Sequence, residues 1–245
     1  MNTYFNINYE FDKQLVHSAI DAAVKGYICV ADGVVMNTAN RDVAYLNVVN
    51  GSLFSICDSS WVPVYIKRIY GVQYEQYCGS EIFKDIVQSG KYRMIFMGTD
   101  QMTLNGLRNE LAKMNPAVKE MKFVELPFLN VNEFDYPAIA QMIEDDAAKI
   151  VWVALGAPKQ EWFMNLLLPH LNRGVMIGVG AAFKFYSGTS ENRCPKWMQH
   201  HHLEFVYRIM QDPKKQIKRC FWIIRTLPRL LLEEKRKFDN TCNKV

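Results

Sequence analysis

The sequence predicts an α/β protein with a Rossmann-like, largely parallel sheet and helices on both faces. Short β-rich runs alternate with segments whose apolar residues recur at three- and four-residue spacing. Gly, Asn, Asp or Pro bounds most of these runs. The chain has 245 residues, 49% of them apolar and 22% charged, which is enough for a large core and excludes a disordered or collagen-like protein. Alternating strands and helices imply right-handed crossovers between parallel strands.

The predicted elements follow one another along the chain from residue 27 onward. The runs that predict strands are 27–36, 52–57, 92–97, 119–124, 150–155 and 174–179. Helical spacing lies between them at 102–114, 132–148 and 158–171. Ligands of such sheets bind beyond the carboxyl ends of the strands. The candidate binding segments are therefore the polar ones that follow strands, which are 37–40, 58–60, 98–100 and 156–161.

The segment after the strand at 150–155 has the features of a ligand-binding turn. Gly156 permits a sharp turn, and Pro158 suits the start of a helix whose free backbone N–H groups attract an anion. Gln160 adds a neutral amide between the charges of Lys159 and Glu161. The alternative interpretation is an ordinary helix start.

Asp58 directly follows the apolar run 53–57. A carboxylate at the end of a buried strand can act as a general base, because partial desolvation and neighbouring charges adjust its proton affinity. The alternative is a turn or cap residue. Gly178 and Gly180 follow another strand, but no third glycine completes a dinucleotide fingerprint and no P-loop occurs, so packing is the better interpretation of that pair.

No metal site or disulfide framework is predicted. The six cysteines are more than twenty positions apart with no CxxC, as expected for reduced thiols in the cytosol. The histidines at 200–202 would point in three directions on a helix. Asp145 and Asp146 lie within a predicted helix, where a solvated face is expected. Residues 1–10 do not resemble a signal peptide, and no apolar run approaches the roughly 18 to 20 residues of a membrane span, so a cytoplasmic protein is expected.

The basic charge is concentrated in residues 204–245, which carry eleven Lys or Arg against five Asp or Glu, whereas the preceding residues carry 18 against 20. Apolar residues interleave with the basic ones, and Pro213 and Pro228 are expected to divide the segment into two amphipathic helices. This pattern favours a helix pair on an anionic membrane surface. The alternative is a helix packed on the body with a solvated basic face. Nucleic-acid binding is disfavoured, because no recognised nucleic-acid-binding motif accompanies the basic charge. The predicted division is an α/β core, 1–203, and a basic appendage, 204–245.

Four motifs together resemble the WecG/TagA/CpsF family, glycosyltransferase family 26. They are GAPKQEW at 156–162, GVGAAF at 178–183, RCPKWM at 193–198 and LEFVYR at 203–208, in the family's order and approximate spacing. The similarity is clearest from 150 to 229 and weaker from 27 to 98.

The resemblance implies transfer of an N-acetylmannosamine-type sugar from a UDP donor to an undecaprenyl-diphosphate-linked sugar. Members invert the anomeric centre and use no metal or other cofactor. They act at the inner face of the cell membrane in teichoic acid, enterobacterial common antigen, capsule or exopolysaccharide biosynthesis. The implied partners are the donor, the lipid-linked acceptor and an anionic membrane surface, without nucleic acid; homo-oligomerisation is left open.

The resemblance also assigns roles to residues. Asp58 becomes the general base, and Thr38, Asn40 and Gln160 become the groups that hold the donor sugar and the acceptor hydroxyl. Lys214 and Lys215 stand where the family's appendage usually has arginines. The implied substrate-binding residues are Gly98, Thr99, Gly156, Pro158, Lys159, Glu161, Gly180, Arg208 and Arg219.

The sequence also departs from the family pattern. Gln76 stands where the family has an arginine, Lys184 replaces an aspartate between Phe183 and Phe185, and Asp58 is flanked by Cys and Ser instead of Pro and Gly. We interpret these changes as altered specificity. The alternative function is an inactive protein that binds a nucleotide sugar or docks other enzymes at the membrane.

Overall fold

The computed structural model describes residues 2–188, 194–195, 197–198, 201 and 203–242. Its strands are β1 (Asn2–Tyr4), β2 (Ile7–Tyr9), β3 (Lys25–Ala31), β4 (Phe54–Cys57), β5 (Met94–Gly98), β6 (Lys122–Val124), β7 (Ile150–Ala154) and β8 (Gly174–Gly178). Within the described residues they form one sheet in the order β1-β2-β4-β3-β8-β7-β5-β6. Every pair is parallel except the β1–β2 hairpin, so the predicted α/β class with a largely parallel sheet is confirmed.

Helices connect most of the strands. They are α1 (Lys13–Ala22), α2 (Gly33–Ala39), α3 (Val43–Asn50), α4 (Trp61–Tyr70), α5 (Gly79–Ser89), α6 (Gln101–Met114), α7 (Tyr136–Asp146), α8 (Lys159–Leu167), α9 (Ala182–Ser187), α10 (Glu204–Gln211) and α11 (Pro213–Cys242). Short 3₁₀ helices span Pro116–Glu120, Val131–Glu133 and Leu168–His170. Aspartate side chains accept backbone N–H bonds at the starts of α1, α2, α3, α6 and α7.

The sheet separates two apolar layers. Side chains of a strand alternate between the faces, so Tyr27 and Cys29 of β3 face one layer while Ile28 and Val30 face the other. The first layer includes buried residues of α2, α3, α4, α7, α8 and α11. The second includes buried residues of α1, α5, α6 and α9. Helices therefore cover both faces, as expected for parallel strands.

The strand predicted at 27–36 extends five residues beyond the observed end of strand β3 at residue 31. Strand β3 ends at Ala31, and Asp32 caps helix α2 by accepting hydrogen bonds from the N–H groups of Val34 and Val35 at 2.8 and 2.9 Å. Val35 and Met36 are buried as residues of a helix instead of a strand. This correction changes which residues lie at the carboxyl end of β3.

Helix α11 packs on the body, with its N-terminal part beside α10. The Asn37 side chain on α2 donates to the carbonyl of Trp222 at 3.2 Å, and the Tyr70 hydroxyl on α4 donates to buried Glu234 at 2.9 Å. The predicted break at Pro228 is wrong, because packing holds the helix continuous past the missing N–H. No helix of the described ranges combines the length and apolarity that a bilayer crossing requires.

The prediction of a solvated face is correct for Asp145 and wrong for Asp146. Asp145 is exposed, but the Asp146 side chain is 1% exposed and forms a two-pronged ion pair with Arg93, with both bonds at 2.8 Å. The reason is that α7 ends against the start of β5. Asp146 therefore joins a helix end to the sheet.

Candidate active site

A cavity of about 670 Å³ lies across the carboxyl ends of β4, β3, β8 and β7, with α9, α10 and α11 at its sides. This is the edge at which parallel sheets of this class bind ligands. Both acidic and basic residues lie in its wall, and they come from segments far apart in the sequence. The charged residues that line it are Asp32, Asp58, Lys184, Glu204, Arg208, Asp212 and Arg219.

Asp58 is half-buried in this wall, immediately after β4. One carboxylate oxygen, Oδ1, accepts a 2.7 Å hydrogen bond from the backbone N–H of Gly79, the first residue of α5. Burial raises the pKa of the Asp58 carboxyl to about 6, opposed by the positive charge of Arg208 and by the Gly79 N–H. The nearby carboxylates of Asp32 and Glu204 raise this pKa further. Asp58 thus changes charge within the range in which a general base operates.

Asp32 is a second carboxylate in the cavity, and sequence reasoning missed it. The parallel register pairs Ala31 with Cys57, and the N–H of Asp58 donates to the Ala31 carbonyl at 3.1 Å. Asp32 and Asp58 therefore leave neighbouring strands side by side. The available signal was the Asp-Gly pair after the apolar run, since Asp commonly ends a strand and caps the next helix.

Gln160 lines the same cavity, as predicted, and its amide joins two loops. Its Nε2 donates to the Glu161 carboxylate at 2.9 Å and to the Gly178 carbonyl at 3.3 Å. Its Oε1 accepts from the N–H of Gly156 at 3.2 Å. The loop after β7 is therefore tied to the end of β8.

Glu161 was predicted to touch substrate, but it lies behind Gln160 with 0% exposure and is not among the described residues that line the cavity. Its Oε2 accepts a 2.9 Å hydrogen bond from the Tyr45 hydroxyl. Burial raises the pKa of Glu161 to about 7, against the opposing effect of its bonds from Gln160 and Tyr45. Glu161 is placed to orient the Gln160 amide.

The glycines predicted around Gln160 do line the cavity. Gly156 and Gly180 have φ angles of 75° and 51°, a region that glycine adopts without strain. Pro158 and Lys159 are not among the described residues that line the cavity. The Lys159 ammonium donates to the Leu129 carbonyl and lies over the ring of Phe134 at 5.2 Å.

Four other predicted residues lie outside the described lining of the cavity. Thr38 lies in the last turn of α2 and Asn40 caps it, a position that follows from the early end of β3. The Asn40 amide bonds within α2 and to the β1–β2 hairpin. Gly98 is the last residue of β5, one strand farther along the sheet, and Thr99 follows it. A Cβ at Gly98 would lie 2.6 Å from the Ala154 carbonyl, so close strand packing requires this glycine.

Arg208 from α10 and Arg219 from α11, the two cations that the resemblance assigns to the substrate, both line the cavity, as does Lys184. Lys214 is exposed outside the described lining, and the side chain of Lys215 is outside the described residues.

The amide of Gln76, where the family resemblance implies an arginine, donates to the backbone carbonyl of Asp58 at 2.9 Å. This residue supports the loop that carries the carboxylate.

Two sequence motifs fall partly beyond the described ranges. Of 193–198, residues 193 and 196 lie outside them, as do two of the three histidines at 200–202. Across the described ranges, no three His, Cys, Asp or Glu residues are grouped so that they could hold a metal ion.

The cavity therefore places a carboxylate that ionises near pH 6 beside side-chain cations and the backbone of a glycine-bearing turn. The carboxylate can accept a proton, and the cations can stabilise developing negative charge. This combination suits a reaction in which a hydroxyl attacks while an anionic group departs.

The sequence model of the glycosyl transferase WecG/TagA/CpsF family matches residues 4–240. A Bacillus subtilis strain 168 protein is 28% identical over 231 residues, covering 90% of this chain and 88% of that protein. A Bacillus spizizenii strain W23 protein is 22% identical over 208 residues, covering 84% and 79%. Both relatives are named N-acetylglucosaminyldiphosphoundecaprenol N-acetyl-beta-D-mannosaminyltransferase.

Proposed function

Since this chain belongs to the WecG/TagA/CpsF family of glycosyl transferases, we propose that it transfers an N-acetylmannosamine-like sugar from a UDP donor to an undecaprenyl-diphosphate-linked sugar. We propose that the reaction inverts the anomeric carbon. A side chain acts as the base, and side-chain cations instead of a metal ion stabilise the departing UDP. The proposal places the reaction in the biosynthesis of a bacterial cell-surface polysaccharide. The acceptor and the sugar class come from the names of the two Bacillus relatives.

The observation that carries the proposal is the position of Asp58. Its carboxylate is held by the N-terminus of α5, and the residue lines one cavity with Gln160, Arg208 and Arg219. The pKa of about 6 leaves this carboxylate mostly ionised at neutral pH. It is then able to take a proton from an incoming hydroxyl.

In the proposed step the acceptor hydroxyl oxygen attacks the anomeric carbon of the donor. A new glycosidic C–O bond forms as the bond between that carbon and the UDP oxygen breaks, and the hydroxyl proton passes to Asp58. UDP leaves with the electron pair of the broken bond. Arg208 and Arg219 are assigned to the negative charge on its diphosphate, together with backbone N–H groups after Gly156.

The proposed location is the inner face of the cell membrane. Helix α11 supports it, because one face packs on the body while Ile217, Phe221 and Leu232 are 55–58% exposed. These apolar side chains alternate with basic ones, a composition that binds anionic headgroups and the boundary of the acyl layer. We propose that residues 204–245 act as a unit that both completes the active site and meets the membrane.

Purified protein mixed with candidate UDP-sugars and a short polyprenyl-diphosphate-GlcNAc acceptor tests the function. We expect UDP release that requires the acceptor and falls by about 10²- to 10⁴-fold in Asp58→Asn, the range for loss of a general base. Asp100→Asn is the matched control, because Asp100 also follows a strand but caps α6 away from the described lining. Donor binding without turnover in the unmodified protein would instead support the docking alternative.

A further inference from the structure

A second cavity, of about 320 Å³, lies beside the first between α2, α4, α10 and α11. Its volume is at the lower end of the range typical of ligand pockets, about 300–1,000 Å³. Most of its surface is apolar, and the residues that supply it include Val34 and Met36 of α2, Trp61 and Tyr65 of α4, and Ile223 and Leu227 of α11. We call this second cavity the apolar groove.

The apolar groove and the first cavity, which we call the polar cavity, share charged lining residues. Asp32, Asp58, Glu204, Arg208 and Arg219 each line both of them. The two arginines therefore stand at the boundary between a polar chamber and an apolar one. A ligand that spans this boundary would have an anionic group at the arginines and a hydrocarbon chain in the groove.

The outer end of the groove is marked by large apolar side chains in contact with solvent. Trp61 is 41% exposed, Phe205 45% and Ile224 68%, and all three line the groove. Clustered exposed apolar side chains mark sites where a soluble surface meets a ligand, a partner or a membrane. These exposed side chains lie in the same groove as the charged residues that also line the polar cavity. One ligand can therefore occupy the groove and the polar cavity together.

We propose that the apolar groove binds the isoprenoid units of the acceptor lipid that lie nearest its diphosphate. This inference rests on the proposed function, since the acceptor is the substrate that joins a diphosphate to a hydrocarbon chain. Arg208 and Arg219 line both cavities, so they face the UDP diphosphate from the polar cavity and the acceptor diphosphate from the apolar groove. The first isoprenoid units pass between Trp61 of α4 and Ile223 of α11. The groove thereby orients the acceptor sugar toward Asp58.

Binding measurements with farnesyl diphosphate and inorganic diphosphate test the groove without any transfer reaction. Burial of isoprenoid surface makes us expect the prenylated probe to bind at least about tenfold more tightly to the full chain. Ile224→Asp places a charge in the groove and removes most of this difference. Leu232→Asp is the matched control, because Leu232 is 58% exposed on the same helix but is not among the described groove residues.

A second variant, Trp61→Ala, removes part of the opposite wall and is expected to reduce the same difference. The proposal is overturned if farnesyl diphosphate binds no more tightly than inorganic diphosphate. It is also overturned if Ile224→Asp and Leu232→Asp weaken prenyl binding equally, since that result indicates general adhesion to apolar surface.

Transfer assays separate this inference from the proposed function. GlcNAc-diphosphate acceptors carrying a farnesyl or a methyl tail are compared, and we expect a KM at least about tenfold lower for the farnesyl acceptor, with the ratio falling toward one in Ile224→Asp. Transfer with equal KM for both tails supports the function and overturns the groove. Selective prenyl binding with no transfer to either acceptor supports the groove and overturns the function.

Discussion

The Asp58 carboxylate is bound to the N-terminus of helix α5, with 2.7 Å between Asp58 Oδ1 and the backbone nitrogen of Gly79. The free N–H groups of a helix start favour a negative charge, whereas burial favours the neutral acid. The resulting pKa of about 6 reflects both effects. Asp58 is thus ionised at neutral pH and yet basic enough to accept a proton.

We predict that kcat/KM rises with pH and levels off above about pH 6, where Asp58 becomes ionised in the free protein. Below that pH the rate should fall about tenfold per unit, because the protonated acid is no longer a base. Arg208 lowers the pKa of Asp58, so Arg208→Gln should move the midpoint to higher pH. Profiles of rate against pH for the unmodified protein and Arg208→Gln measure this shift. An unmoved midpoint would show that the Arg208 charge does not act on Asp58.

Asp32→Asn should move the same midpoint in the opposite direction. The Asp32 carboxylate raises the pKa of Asp58, and its removal therefore lowers that pKa. Asparagine also accepts backbone N–H bonds at a helix start, so α2 should keep its cap. The check is a pH–rate profile beside thermal unfolding. A midpoint that moves upward, or stays in place with an intact fold, contradicts the placement of Asp32 beside Asp58.

Glu161→Gln should change how stability depends on pH. The folded protein holds the Glu161 proton up to about pH 7, whereas an unfolded chain releases it near 4.5. Between these values the folded state binds more protons, so rising pH lowers the unfolding free energy through this group, and the loss is complete above pH 7. Glutamine removes this loss.

Denaturant unfolding of both proteins at pH 5 and pH 8 measures the Glu161 effect. The stability of Glu161→Gln relative to the unmodified chain should improve by on the order of 3 kcal/mol between these pH values. A relative stability independent of pH would show that folding does not raise the pKa of Glu161.

Arg219→Ala should raise the KM of a diphosphate-bearing substrate by at least about tenfold, because hydrogen bonds to charged groups contribute about 1.5–3 kcal/mol. Arg229→Ala on the same helix is the control. Its side chain is 83% exposed and pairs with Glu233 at 2.6 Å, an exposed ion pair of small energetic value. Steady-state kinetics compare the two variants; equal effects would indicate that α11 acts only through its overall charge.

Local sequence patterns predicted the fold class because they depend on short-range chemistry. Alternating β-rich runs and helical spacing located six strands of the sheet, although several of their ends differ in the structure. Strands β1 and β2, which form an antiparallel hairpin of three residues each, were not predicted. The end of β3 was misplaced because Val34, Val35 and Met36 are apolar in a helix start just as they would be in a strand.

The family resemblance assigned Asp58 and Gln160 to one reaction site, and both residues line one cavity. Their catalytic roles stay predictions. Asp32 was missed because its position depends on where β3 stops and on its register with β4. Glu161 was assigned to the substrate because it stands next to Gln160 in the same motif. In the helix, Gln160 lines the cavity whereas Glu161 accepts a hydrogen bond from Tyr45.

The sequence by itself determined the alternating elements, the basic carboxyl-terminal segment and the motifs that resemble a glycosyltransferase family. Only the tertiary structure decided which side chains share the cavity and how helix α11 lies against α2 and α4. The physical reason is range. Periodicity and capping act over a few neighbouring residues, whereas the cavity wall is assembled from strand ends and helices whose contacts join residues as distant as Asn37 and Trp222.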